Sequence, residues 1–143
     1  MIDLVSHNIC REFSDKRKLV VASEHNIEYR LMNKSAFEVA KWKIDGCVFN
    51  GETACDYLVI NIDRQEAYWI ELKGSDIEQA AYQILNTIRK IRIGNIFAHH
   101  ARIVASKNPN TRLRETKYRE LETFIRKLNG TMINKNKQLK EII

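Results

Sequence analysis

Apolar positions alternate with polar ones early in the chain and cluster in longer runs towards its centre. Ile2, Val5, Ile9 and Phe13 stand at helical spacing and predict a short N-terminal helix ending in the charged run from Ser14 to Lys18. Lys18 to Ala22 reads as a strand, Glu24-His25-Asn26 as a turn, and Ile27, Tyr29 and Leu31 as the buried side of a second strand. An extended stretch follows from Phe37 to Ile44 and breaks at Asp45-Gly46, where a strand-ending turn is expected. Asn50-Gly51 is a hairpin signal, because both residues tolerate the positive φ of a type I′ turn.

Asp56 to Ile62 and Glu66 to Lys73 are apolar on both faces, the pattern of central strands in a covered sheet. After Gly74, Ser75-x-x-Glu78 has the form of a capping box. Ile77, Ala80, Ala81, Ile84, Leu85, Ile88 and Ile91 then make one apolar stripe at helical period. Ala101 to Ala105 is a short buried strand and 107–110 a loop. A second helix turns Tyr118, Leu121, Ile125 and Leu128 inward and stops at Gly130. The tail, Thr131 to Ile142, reads as a hairpin turning at Lys135-Asn136. The order predicts an α/β fold, a central mixed β-sheet flanked by helices.

Length fits one domain over all 143 residues, with a C-terminal helix and hairpin over 114–142. No apolar run is long enough to span a bilayer, and Asp3, Ser6, His7 and Asn8 interrupt any leader-like opening. Three cysteines, Cys10, Cys47 and Cys55, show no C-x-x-C spacing. Neither a disulfide framework nor a zinc ribbon is expected, and a reducing, cytoplasmic setting follows. Cys47 and Cys55 are expected as small buried hydrophobes. The net charge of +6, from 24 Lys and Arg against 18 Asp and Glu, invites a polyanionic partner and also serves solubility. Lys107, Arg112, Arg114, Lys117 and Arg119 cluster near the second helix and are candidates for tracking a phosphate backbone, or a solvated surface.

The chemistry concentrates at Asp56 and Glu71-Leu72-Lys73. Glu71 and Lys73 share one face of their strand. A tight turn around Asp63-Arg64, or a four-residue loop from Ile62 to Gln65, sets Asp56 opposite Glu71 with Cβ atoms about 5 Å apart. Two carboxylates so placed repel unless a cation lies between them, and a hard cation such as Mg²⁺ takes one or two carboxylates and leaves room for water and phosphate oxygens. A same-face Glu71–Lys73 salt bridge is the bland alternative. His99 and His100 point to opposite faces and do not form a joint site.

Cys55-Asp56-Tyr57, fifteen positions before Glu71-Leu72-Lys73 on the next strand, resembles the PD-(D/E)xK nucleases, a superfamily that includes restriction endonucleases, Holliday junction resolvases and repair exonucleases. Cys55 stands where the family name has Pro. The resemblance implies a restriction endonuclease-like core of a helix, a strand hairpin, a helix and a further strand over about 37–106. It also implies Asp56 and Glu71 as ligands of Mg²⁺, which Mn²⁺ can replace, and Lys73 as the catalytic lysine. Gln83, on the following helix, matches the auxiliary glutamine of the exonuclease-like branch. Many members carry another acidic residue upstream, and Glu12, Glu24, Glu28 and Glu38 are all candidates here. The implied function is a metal-dependent DNA endonuclease acting on duplex or branched DNA, as a homodimer when both strands are cut. The alternative is an inactive nucleic-acid-binding or complex-forming module of the same fold.

Overall fold

The computed structural model describes residues 1–73, 76–107 and 116–143. β5 (Val39–Lys43), β6 (Tyr57–Asn61) and β7 (Glu66–Lys73) form an antiparallel meander. β9 (Ala98–Ala105) then joins β7 in parallel, and β10 (Met132–Asn136) joins β9 in parallel. With β2 (Arg11–Asp15) pairing antiparallel to β5 at the other edge, the order is β10-β9-β7-β6-β5-β2. The two parallel joins are bridged by α1 (Ile77–Lys90) and α2 (Thr116–Lys127), as parallel strands need a long crossover. The fold is α/β, a central mixed sheet flanked by helices.

Strand alternation divides the core in two. Leu58, Ile60, Ala67, Trp69, Ala101 and Ile103 pack with the apolar stripe of α1 and with Leu121 and Ile125 of α2. Val59, Tyr68, Ile70, Leu72 and Val104 face the opposite way, onto Val20, Ala22, Tyr29, Leu31 and Leu139. Those last residues belong to a second, three-stranded sheet, β11-β4-β3, built from β3 (Leu19–Glu24), β4 (Ile27–Met32) and β11 (Gln138–Ile142). Both helices thus cover one face and a small sheet covers the other, and β7 is apolar on both sides for that reason. A short parallel pair, β1 (Ile2–Asp3) with β8 (Ile91–Arg92), closes one end.

Several expectations are corrected. The N-terminal stripe is no α-helix: Leu4–Cys10 winds as a 3₁₀ helix capped by Asp3, and Phe13 lies in β2. Three residues per turn put Leu4 and Cys10 inward and leave Val5 and Ile9 in solvent. Asn50-Gly51 makes no two-residue turn. β5 and β6 do pair as a hairpin about that centre, but the chain between them is a long loop in which Gly51 takes φ +80°. The tail is not a hairpin either. β10 and β11 turn at Lys137 (φ 65°) and go to different sheets, β10 beside β9 and β11 beside β4. Each strand is completed by a parallel neighbour from far away in sequence, which no local pattern encodes.

The cysteine expectation is also overturned. Cys10 and Cys47 form a disulfide that ties the 3₁₀ helix to the loop after β5, with the two residues 37 apart in sequence. Cys55 is free and buried. Spacing rules look for ligand pairs close in sequence and say nothing of two cysteines that the fold brings together.

Helix ends differ from expectation too. Ser75 lies outside the described residues; the cap of α1 is Asp76, whose Oδ1 accepts the Gln79 N–H at 2.9 Å. Glu78 reaches instead to α2, where its carboxylate accepts the amides of Lys117 (2.6 Å) and Tyr118 (3.1 Å). A carboxylate at those orphan amides and at the positive end of the helix locks α2 onto α1. At the far end of α2 the left-handed residue is Asn129 (φ 60°), not Gly130. Gly130 is required for another reason: a Cβ there would overlap the His99 carbonyl oxygen.

No helix of the described residues is long and apolar enough to cross a membrane.

Candidate active site

The β6–β7 register decides the site. Tyr57 pairs with Ile70 and Asn61 with Glu66, closed by the loop from Ile62 to Gln65, so the next step outward sets Asp56 against Glu71. There the ladder opens. The Asp56 N–H still donates to the Ile70 carbonyl (3.1 Å), but the Leu72 N–H donates to Asp56 Oδ2 (2.7 Å) rather than to backbone. Asp56 therefore ends β6 with its side chain folded back onto β7. The strand-borne amide of Leu72 orients the carboxyl.

Glu71 is only 2% exposed, which is rare for a carboxylate without a counter-charge. Burial first, and then the charge of Asp56, push it up to about 9; the ammonium of Lys73 works in the opposite direction. Asp56 is raised to about 6, first by burial, against the Leu72 amide that favours its charged form. The nearness of the two carboxyls acts on them in opposite directions, raising Glu71 and lowering Asp56. Near neutral pH the pair therefore holds a proton in common. Oε1 of Glu71 is buried with no hydrogen-bond partner.

Lys73, half-buried, lines a cleft of about 600 Å³ between the end of β7 and the β3–β4 turn, together with Glu24, His25, Leu72, Ser106 and Lys137. No described carboxylate lies within 4.0 Å of its ammonium, so the same-face Glu71–Lys73 salt bridge is not formed. Of the four upstream acidic candidates, Glu24 is the one whose charge raises Asp56. It ends β3 at the two-residue turn into β4 and lies beside the cleft. Glu12 is bound to Lys41 at 2.8 Å and Glu28 to Arg30 at 3.3 Å. The structure places Glu38 at the start of β5, where its amide donates to Asp63 (2.7 Å).

α1 holds the strand entry in place. Thr87 Oγ1 accepts the Cys55 N–H at 2.8 Å and donates to the Gln83 carbonyl at 2.6 Å. Asn86 donates to the Thr53 carbonyl (2.7 Å), and Gln83 Nε2 to the Ala54 carbonyl (3.3 Å). Gln83 Oε1 is buried and without a partner. Gln83 thus sits beside the segment that delivers Asp56, while Gln79 is held at the helix cap by its backbone amide. Sequence reading missed Thr87 and Asn86. The signal was present for Thr87, a polar residue inside the apolar stripe of Ile84, Leu85 and Ile88, where a buried hydroxyl needs a partner.

The remaining candidates separate. Lys107 is exposed just after β9, and Arg112 and Arg114 lie outside the described residues. Lys117 is taken up by Glu120 (3.3 Å) and the face of Tyr82. His99 accepts from Trp69 Nε1 at 3.1 Å on the helix side, and burial lowers it to about 4. His100 stacks on Tyr68 on the other side and bonds Thr131. The two do point to opposite faces.

The donor set fits a hard cation. Two facing carboxyls, one with an unsatisfied buried oxygen, can accept a cation in exchange for the shared proton. Among the described residues no group of three or more His, Cys, Asp or Glu converges as a metal cage, so water and a substrate oxygen would supply the remaining ligands. No family model, no curated protein and no solved structure matches the chain.

Proposed function

We propose that this chain is a metal-dependent nuclease of the PD-(D/E)xK kind, hydrolysing phosphodiester bonds in DNA. The observation that carries the reading is the Asp56–Glu71 pair, Glu71 buried and Asp56 half-buried, facing each other across two central strands, with Lys73 beside it and in no ion pair among the described residues. Of the core that the resemblance implies, the hairpin β6-β7, the helix α1 and the further strand β9 follow one another in that order. The helix that the resemblance places before the hairpin has no α-helical counterpart among the described residues.

Asp56 and Glu71 would hold Mg²⁺, or Mn²⁺ in its place, and the bound ion would supply Lewis-acid activation of water and neutralise charge on the phosphate. The chain's own groups do the rest. The Leu72 amide keeps Asp56 aimed at Glu71. Glu71 would bind such an ion as the carboxylate, releasing its proton to solvent. Lys73, which lines the cleft, would orient the attacking water and steady the charge that develops on the phosphoryl oxygens. Gln83 positions the Thr53–Cys55 segment, together with Asn86 and Thr87. Duplex or branched DNA is the substrate class, with a homodimer where both strands are cut. The Cys10–Cys47 bond removes the cysteine argument for the cytoplasm, so that location rests on the DNA substrate alone.

The absence of a three-residue metal cage among the described residues favours a second reading, a nucleic-acid-binding module that keeps the fold without catalysis. Nicking of supercoiled plasmid with Mg²⁺ or Mn²⁺, and EDTA as control, separates the two. Metal-dependent nicking is the expected result; binding with no cleavage of duplex, single-stranded, branched or RNA substrates supports the second reading.

A further inference from the structure

The positive charge of this chain is unevenly satisfied. On the helical side, Arg89 pairs with Glu120, Lys90 with Glu52, and Arg126 with Glu122. The outer face of the β3-β4-β11 sheet is different. Val20, Ala22, Tyr29, Leu31 and Leu139 point into the core, so the alternate positions, Arg30 and Lys140 among them, face outward. Arg30 and Lys140 are direct neighbours in the parallel register, and the Lys18 carbonyl takes the Asn33 amide, which brings Lys18 beside Lys34. With Lys16, these five side chains surround one concavity of about 630 Å³ floored by Leu19 and Met32. Arg30 has a carboxylate neighbour, Glu28; among the described residues no side-chain carboxylate lies within 4.0 Å of the ammonium of Lys16, Lys18, Lys34 or Lys140.

We propose that this outer sheet face binds the phosphate backbone of nucleic acid, as a docking surface separate from the carboxylate site. Four ammonium groups without counter-ions around one hollow repel one another, and a polyanion relieves that repulsion while releasing its condensed counterions. Lysines act here as point charges, with no planar fork to read bases, so the contact tracks the backbone and not the sequence. The hollow lies at the Leu19–Met32 end of the β3–β4 hairpin, and Glu24 at the opposite end marks the cleft. Five residue steps of strand separate them, roughly 17 Å at about 3.4 Å per residue. A duplex engaged at the cleft would reach this face about five base pairs away, at about 3.4 Å per base pair. The choice of nucleic acid as the polyanion rests on the nuclease reading; the site itself rests on charge and geometry.

Binding is tested apart from cleavage, by fluorescence anisotropy of a short labelled duplex in EDTA with the full-length chain carrying Glu71→Gln. Adding Lys16→Glu, Lys18→Glu, Lys34→Glu and Lys140→Glu should weaken binding by about 10²-fold at low salt and flatten the log Kd against log salt slope by about three to four. Lys18→Gln with Lys140→Gln is the milder pair, expected to act in the same direction if the fourfold variant does not fold. Arg126→Glu with Lys127→Glu, on the helical side, is the control and should cost much less. Unchanged affinity in both sheet-face variants overturns the proposal, as does an equal loss in the control, which would mean that only net charge matters. Competition by polyglutamate as effective as by duplex also overturns it, in favour of an acidic protein partner. Failure of Mg²⁺-dependent cleavage with intact sheet-face binding would count against the nuclease reading alone.

Discussion

Glu71 and Asp56 face each other across the open end of the β6–β7 ladder, the first buried and raised to about 9, the second held by the Leu72 amide and raised to about 6. A structural ion pair would have placed a cation in that position. Two acids are kept together instead, at a cost in burial that only a proton or a cation can offset.

Removing either acid should abolish cleavage and leave the fold intact. Asp56→Ala and Glu71→Gln are expected to lose metal-dependent plasmid nicking while keeping their circular dichroism spectra. Metal-free melting temperature should hold in Glu71→Gln at neutral pH, where Glu71 keeps its proton, and rise above the parent's towards pH 9, where the parent must bury a charge and Gln is a neutral group of the same shape. A variant that nicks at the parent rate sinks the assignment of that residue.

The pH dependence of stability has a definite sign. Glu71 has a folded pKa raised above its ordinary value of 4.5, so the folded state binds more protons between about 4.5 and 9. Its contribution to stability is therefore fully present below that window and is lost as pH rises through it. Metal-free protein should melt at progressively lower temperature from pH 7 to 9, a range in which His99 and His100, both lowered by burial, stay neutral. Calorimetric melts should show this slope reduced in Glu71→Gln, and Mg²⁺ should restore the parent's stability at pH 9. A slope identical in parent and variant would show that Glu71 is not the group involved.

Lys73 distinguishes catalysis from packing. With no ion pair to lose, Lys73→Ala should melt close to the parent temperature and retain DNA binding, yet lose on the order of 10²-fold or more in single-turnover cleavage. Lys73→Arg keeps the charge but cannot act as a base at ordinary pH, so recovery in that variant would assign an electrostatic role. An early-melting Lys73→Ala that cleaves at the parent rate would make the lysine structural.

Gly130→Ala tests a purely steric requirement. The added methyl would meet the His99 carbonyl oxygen, and β9 or the end of α2 must shift to admit it. A loss on the order of 2–3 kcal/mol in urea unfolding is expected, as for other forced overpacking. Asn129→Gly, at the left-handed position itself, should be neutral or mildly stabilising.

Reduction of Cys10–Cys47 should lower the melting temperature by on the order of 10 °C, since it frees a loop spanning 37 positions worth about 4 kcal/mol by chain entropy. The melt of the parent in dithiothreitol and that of Cys10→Ser should agree, both below that of the oxidised parent; a dithiothreitol-insensitive melt would mean that the bond does not stabilise the fold.

Much of this protein is determined locally and is legible in the order of its residues. The double-sided apolar pattern of β6 and β7, the short link between them and the stripe of α1 arise from neighbours within a few positions. They suffice to set Asp56 opposite Glu71. The α/β class follows from the same periodicities. Tertiary structure decided whatever depends on residues far apart. It sent β10 and β11 to different sheets, joined Cys10 to Cys47, turned Glu78 from its own helix to the amides of α2, and singled out Glu24 among four acidic candidates. Each of these is a pairing between groups that either end of the chain could have made with other partners. Only burial in one packed arrangement, where an unpaired amide, carboxylate or strand edge is costly, selects among them.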